Sequence, residues 1–322
     1  MTTPDPVASA HGRTSRGVWI SDIQVRDPFI VSDAVSSTYW LYGSTDQNIW
    51  SDPGTGFDAY RSADLVEWEG PFPAFRPPAG FWSRGQYWAP EVHRYRDRWF
   101  MFATFTSPDG HRGTQVLAAD SLEGPFVPWS DGPVTPPRWR CLDGTLYVDD
   151  DGLPWIVYCH EWIQVHDGGV VAQRLTEDLR RAVGNPVYLF TASEAPWSKP
   201  MTGEPFAAYQ LPVHVTDGCF LFRLASGHLI MLWSSFGDQG YAMGIAHSES
   251  GNILGPWTQE EHPIWAADGG HGMIVRLRDG RLALTLHQPN TTPDERAVIR
   301  LLHEGDTTVT LDADATWSRE VT

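Results

Sequence analysis

The sequence is poor in cysteine, in basic side chains and in long apolar runs, and each shortage removes a class of function. Three cysteines, Cys141, Cys159 and Cys219, stand far apart with no CxxC pair. That spacing supports neither a zinc site nor a disulfide framework, so reduced thiols are expected. Lysine and arginine number 23 against 40 aspartates and glutamates, a formal net charge of -17. With no Lys/Arg run to make a local exception, a phosphate backbone or an anionic membrane is repelled, and neither nucleic acid nor membrane is expected as a partner. No stretch approaches the ~20 apolar residues of a membrane helix. Residues 1–17, MTTPDPVASAHGRTSRG, lack the apolar core of a secretion signal and read as a flexible lead-in. The expectation is a soluble, cytoplasmic protein with one folded domain over residues 18–322, taking a neutral or cationic ligand. Oligomeric state is left open.

Aromatic and turn-forming residues are in excess: 16 Trp, 30 Gly and 25 Pro in 322 residues. Such a composition excludes a disordered chain, a coiled coil and a collagen-like repeat. Short aromatic and β-branched runs such as Tyr39-Trp40-Leu41-Tyr42, Trp99-Phe100-Met101-Phe102 and Trp155-Ile156-Val157-Tyr158 read as strands. Helical periodicity is scarce; the best candidate, Thr176 to Val183, runs at once into Gly184-Asn185-Pro186. A turn followed by an apolar strand recurs near Ser36, Asp97, Gly152, Gly227 and Gly280, at spacings of 61, 55, 75 and 53 residues. Glu69-Gly70-Pro71-Phe72, Glu123-Gly124-Pro125-Phe126 and Leu254-Gly255-Pro256-Trp257 close three of those units with one turn chemistry. The predicted fold is all-β, a five-bladed β-propeller of four-stranded blades; a pair of β-sandwiches is the rival.

Counting back from each turn exposes one polar residue per unit. Asp27 lies 9 residues before Ser36, Asp143 9 before Gly152, Asp217 10 before Gly227, His271 9 before Gly280, and Glu91 6 before Asp97. First strands of propeller blades line the central channel, so these side chains are expected to converge at one end of the axis. Carboxylates crowded in a small site drive each other's pKa values apart, which is what a general acid and a general base require. Any one of these aspartates alone is more simply a turn cap. Asp149, Asp150 and Asp151, before Gly152, read as a solvated hairpin turn.

Three segments together resemble glycoside hydrolase family 43: Arg26-Asp27-Pro28-Phe29, Tyr87-Trp88-Ala89-Pro90-Glu91-Val92 and Leu142-Asp143-Gly144-Thr145-Leu146-Tyr147. The resemblance runs from residue 20 to about 318. It implies a five-bladed propeller that cleaves arabinofuranosides or xylosides with inversion. By that resemblance Asp27 is the general base, Asp143 the third carboxylate that orients the acid and raises its pKa, and Asp217 stands at the general-acid position. There the family has Glu followed by Gly-Pro, where this chain has Asp217-Gly218-Cys219. Aspartate is shorter by one methylene, about 1.5 Å, so Glu194 and Glu204 are alternative acids. His271, within Gly269-Gly270-His271-Gly272, resembles a histidine that faces a cation or water in the channel. By that resemblance one calcium ion, held mainly through waters and structural or electrostatic in role, is expected there, against the equally weighted reading of a buried, hydrogen-bonded histidine. No organic cofactor is expected.

Among Trp82, Trp88, Trp162, Trp233 and Phe236, the side chains chosen to stack on sugar are Trp88, Trp162 and Phe236. Glu91 is expected to contact substrate, and His160 and Glu161 to serve as hydroxyl partners. Segments Trp50 to Tyr60 and Trp197 to Gln210 read as loops that wall the pocket and favour exo action. The expected activity is an inverting exo-α-L-arabinofuranosidase on short oligosaccharides. β-Xylosidase, a galactofuranosidase, a D-arabinofuranosidase and a non-catalytic carbohydrate-binding propeller are the alternatives.

Overall fold

Alternating aromatic or β-branched strands and Gly, Asp and Pro turns build five antiparallel sheets in the computed structural model, which describes residues 17–47, 49–51, 53–203 and 206–316. Each sheet is a blade of consecutive strands. Blade I holds Arg26–Asp33, Thr38–Ser44, Phe57–Ser62 and Glu67–Phe75, with Val18–Trp19 added outside the last. Blade II holds Gly85–Tyr95, Arg98–Thr106, Arg112–Ala119 and Val127–Pro133. Blade III holds Cys141–Val148, Pro154–His160, Gly169–Leu175 and Ala182–Thr191. Blade IV holds Asp217–Arg223, Leu229–Gly237, Gly240–Ser248 and Trp257–Gln259, and blade V holds Gly270–Arg276, Leu282–Gln288, Arg296–Glu304 and Val309–Thr316. The molecule is a five-bladed β-propeller, and the innermost strands of blades V and I pack together to close the ring. Val25 N–H donates to Glu295 O across that closure at 3.4 Å.

All five recurring turns are the hairpins between a blade's first and second strands. The Gly-Pro pairs lie in or just before the outermost strands of blades I, II and IV. Thr176 to Val183 is not a helix: residues 176–181 form a turn and Ala182 opens the outer strand of blade III. Val183, Val187 and Val170 to Val171 supply β-branched residues on both sides of that turn, and pairing of the two strands outweighs its weak helical pattern. The second half of the Trp50 to Tyr60 segment likewise joins a strand, from Phe57. The lead-in, apart from Gly17, lies outside the described residues. No helix among the described residues is long and apolar enough to cross a membrane.

Five tryptophans, Trp40, Trp68, Trp197, Trp233 and Trp257, are buried in the core of the described residues. Trp68 and Trp233 are fully buried, and Trp197 packs on Trp233 at 4.7 Å. Burial of an aromatic of this size stabilises by about 3 kcal/mol, so these rings act as spacers that hold the wedge-shaped blades apart. All three cysteines are buried and free.

One irregularity repeats around the ring and sets up everything that follows. In every blade the register between first and second strand slips, at Arg26/Phe29, Trp88/Glu91, Leu142/Thr145, Asp217/Phe220 and Gly270/Met273. Within each slip one residue has positive φ: Asp27 (53°), Ala89 (46°), Asp143 (54°), Gly218 (55°) and His271 (46°). A bulge bends the strand and re-aims its side chain. For a residue other than glycine this backbone costs about 1–3 kcal/mol, strain that surrounding contacts must hold.

Candidate active site

The bulges of blades I, III and V gather Asp27, Asp143 and His271 at one end of the channel. His271 Nδ1 lies 3.1 Å from Asp27 Oδ1 and 3.6 Å from Asp143 Oδ2. Ser44 Oγ donates to Asp27 Oδ2 at 2.6 Å, and Arg26 Nε lies 4.0 Å from Oδ1. Burial opposes a charge on Asp27, but His271, Arg26, His287 and the Ser44 hydroxyl outweigh it and hold the carboxyl below its ordinary range. The Asp27 N–H donates to His287 Nδ1 at 3.2 Å, so that nitrogen is bare and Nε2 carries the proton toward Asn290 Oδ1 at 3.2 Å. Burial and the Arg26 charge push His287 down to about 3, which keeps it in this neutral tautomer.

Asp143 and Asp217 are tuned the other way. Burial, then the negative charges of Asp27 and Glu91, push Asp143 well above the usual carboxylate range, although its Oδ2 accepts the Gly218 N–H at 3.0 Å. Burial and the neighbouring Asp143 push Asp217 up to about 7, while its Oδ2 accepts the Tyr241 hydroxyl at 3.0 Å. Asp27, Asp143, Asp217 and His271 all line one cavity of about 590 Å³. A carboxylate that sheds its proton readily and a carboxyl that keeps one near neutrality thus face the same space. That pairing suits general acid–base chemistry on a bound molecule.

Trp88, Trp162 and Phe236 line the cavity, as does Trp50. Trp88 Nε1 donates to Ile49 O at 2.6 Å, and the Arg112 guanidinium lies 4.2 Å from the centre of a Trp88 ring. Trp162 packs on Phe206 at 5.3 Å and Tyr209 at 5.7 Å, and Met201 and Phe206 line the cavity beside it. Trp50 Nε1 donates to Thr292 Oγ1 at 3.1 Å, linking the loop of blade I to blade V across another wall. Trp233 and Trp82 are not platforms: Trp233 is core, and Trp82 packs on Phe81 and Phe105 with its Nε1 donating to Gln115.

Three expected site residues stand elsewhere. Glu91 does not line the cavity; the bulge of blade II falls at Ala89, and two residues further along Glu91 is buried in a 3.0 Å pair with His93. His160 also turns away, its ring stacked 4.3 Å from Trp139, Nε2 2.8 Å from Gln164 Oε1 and Nδ1 against the Tyr188 hydroxyl. Its neighbour Glu161 lines the cavity instead, with Oε1 paired to Arg112 and Oε2 buried without a protein partner. Glu194 caps a short helical turn by accepting the Thr191 N–H at 2.8 Å; Glu204 lies outside the described residues. For calcium, which takes six to eight oxygen ligands, the residues do not fit as direct ligands. The carboxylates nearest His271 are already committed to it, to Ser44 and to Gly218, and no three His, Cys, Asp or Glu side chains converge as a cage among the described residues.

Ser44, His287, Tyr241, Asn290 and Arg112 complete the site and escape the first-strand pattern. Ser44 and His287 stand 17 and 16 residues after Asp27 and His271. A search for polar residues at that interval would have found them.

The family model for glycosyl hydrolases family 43 matches residues 20–305. The chain is 40% identical to an endo-arabinase from Bacteroides thetaiotaomicron, with TM-score 0.82 and coverage of 91% of this chain and 99% of that one. An α-L-arabinofuranosidase from Lactobacillus brevis matches at 16% identity and TM-score 0.68, covering 92% and 96% of the two chains. An exo-1,5-α-L-arabinanase from a bovine ruminal metagenomic library matches at 18% identity and TM-score 0.61, covering 90% and 97%. The last two show likeness of fold. No curated protein matches the chain.

Proposed function

The chain belongs to glycosyl hydrolases family 43 and is an inverting glycoside hydrolase, and on that premise we propose that it releases terminal α-L-arabinofuranosyl units from short oligosaccharides. Asp27 acts as general base, Asp217 as general acid, and Asp143 holds the acid's environment. The observation that carries this reading is the opposite tuning of Asp27 and Asp217 around one cavity.

In a single displacement, water attacks the anomeric carbon from the face opposite the leaving group. Asp27 accepts a proton from that water as the new C–O bond forms. Asp217 gives its proton to the glycosidic oxygen as the old bond breaks, so the leaving sugar departs as a neutral alcohol. The two carboxyls must stand ~6.5–9.5 Å apart to leave room for the water; blades I and IV, not adjacent in the ring, suit that requirement. Tyr241 fixes one oxygen of Asp217 and so directs the other at the substrate. Trp88, Trp162 and Phe236 offer flat apolar faces to the sugar's C–H surfaces. Glu161 pairs with Arg112 and holds that guanidinium over the Trp88 ring on the cavity wall.

Arabinose as the sugar draws support from the 40% identical endo-arabinase. Exo action draws support from the walls built by Trp50 with Thr292 and by Trp162 with Phe206. The same relative favours internal cleavage as the second reading. A panel of nitrophenyl α-L-arabinofuranoside, β-D-xyloside and β-D-galactofuranoside, run beside linear arabinan, decides both points. The proposal expects the arabinofuranoside to be hydrolysed fastest and arabinan to yield arabinose with little fall in viscosity. Preference for another glycoside overturns the sugar assignment, and rapid loss of viscosity overturns exo action.

A further inference from the structure

One blade junction differs from the other four, and the difference lies beside the acid. In each blade the second strand carries a residue paired with the one that precedes the bulge. The pairs are Ser44 with Arg26, Thr104 with Trp88, Cys159 with Leu142, Ser234 with Asp217 and His287 with Gly270. At four junctions that side chain accepts the N–H of the next blade's bulge residue. Ala89 donates to Ser44 Oγ at 2.9 Å, Asp143 to Thr104 Oγ1 at 2.8 Å, His271 to Ser234 Oγ at 2.8 Å and Asp27 to His287 Nδ1 at 3.2 Å.

Between blades III and IV the corresponding side chain is the thiol of Cys159, a weak acceptor. The Gly218 N–H goes instead to Asp143 Oδ2 at 3.0 Å. Cys159 is engaged with the thiol of Cys219, whose Sγ in turn donates to the Asp143 carbonyl at 3.4 Å. The junction of blades I and II shows the alternative: there the Ser44 hydroxyl stands between Asp27 and the Ala89 N–H, bonding to both. Gly218 itself has little freedom to adjust, because a Cβ on it would meet the His271 ring at 2.6 Å.

We propose that Cys159 is a positioning residue: by offering Gly218 no hydroxyl, it lets the Asp143 carboxylate take that N–H directly and clamps it against the backbone of the acid, Asp217. The proposal rests on the reading of Asp217 as general acid. Asp143 is also faced by Asp27, His271, Glu91 and Arg112, and Asp217 by Tyr241, His271 and Asp27. The Gly218 N–H bond to Asp143 Oδ2 is the contact through which a hydroxyl at residue 159 would reach the acid.

The test compares Cys159→Ser with Cys159→Ala in the full chain. Serine at this register repeats what Ser44 and Ser234 do, intercepting the Gly218 N–H and setting the Asp143 carboxylate back. Displacements on the 1 Å scale cost up to ~100-fold. Cys159→Ser is expected to lower kcat on an arabino-oligosaccharide at least ~10-fold. It should change kcat on nitrophenyl arabinofuranoside little, since a good leaving group departs with little protonation. Cys159→Ala, which offers no hydroxyl, should retain wild-type behaviour on both. Should the serine variant fail to fold, Cys159→Thr carries the test, since Thr104 fills that register in blade II. Equal losses on the two substrates, or the same loss in Cys159→Ala, reveal simple packing and overturn the proposal. Asp217→Ala in the same assay separates the premises: without a leaving-group contrast there, the acid assignment fails and the clamp has nothing to position.

Discussion

Replacing Tyr241 by phenylalanine removes one hydroxyl and tests the electrostatics of the acid directly. The Tyr241 O–H donates to Asp217 Oδ2 at 3.0 Å. Burial and the adjacent Asp217 push the phenol well above its ordinary pKa, so it stays a donor at every working pH. A hydrogen bond to a charged group stabilises that charge by about 1.5–3 kcal/mol, and 1.36 kcal/mol corresponds to one pH unit. Part of the bond survives when Asp217 is neutral, so the lower end applies, about 1 unit. Asp217 stands at about 7 and works as an acid only while protonated, so activity falls as pH rises through that value. Without Tyr241 the ionised form loses support and the pKa rises. The alkaline limb of kcat/KM against pH should therefore move about 1 unit upward in Tyr241→Phe, with a lower rate at the optimum because the carboxyl is freer to turn. A limb that stays in place, or moves to lower pH, refutes the reasoning.

Asp27→Asn should fold and bind oligosaccharide nearly as the parent does while kcat falls at least ~100-fold, because the base is needed only in the transition state; more than about a tenth of parental activity would place the base elsewhere. Chelation should leave kcat/KM and the melting temperature unchanged, since His271 is committed to Asp27 and Asp143. A drop in either that calcium restores would establish a cation held through waters. Raising pH from about 4 toward 7 should weaken the folded state at Asp217: the native carboxyl keeps its proton to about 7, the unfolded one loses it near its ordinary value, and the unfolded state gains over that window. Removing the group in Asp217→Asn should flatten that part of a stability-against-pH curve, and an unaltered slope would count against the raised pKa.

How the sequence encodes this site is visible in one count. Nine residues back from four of the five hairpin markers are Asp27, Asp143, Gly218 and His271, all bulge residues with positive φ. The interval survives because a bulge is a backbone feature set by its distance from the turn, whatever side chain it carries. In blade II the hairpin is tighter, Tyr95 pairing directly with Arg98, and the bulge moves to Ala89. Glu91 attracts notice for its charge, yet two residues past the bulge it is buried against His93 and off the cavity. His160 and Glu161 show the period of two: at the end of a strand one residue decides the face, and the glutamate has the cavity. Ser44, Tyr241 and His287 stay hidden because they act from second and third strands, where register, not local pattern, decides what they meet. The shift from Glu to Asp at the acid position is legible as a residue change; the pairing with Tyr241 that holds the shorter side chain is not.

The division of labour between Asp27 and Asp217 is tested most directly by kcat/KM against pH, on nitrophenyl arabinofuranoside and on an arabino-oligosaccharide, for the parent and Asp217→Asn. The parent should give a bell, its acid limb below the ordinary carboxylate range from Asp27 and its alkaline limb at about 7 from Asp217. The variant should lose the alkaline limb on the aryl substrate while becoming nearly inert toward the oligosaccharide. An alkaline limb that persists unchanged in Asp217→Asn would contradict the assignment and place the acid on another side chain.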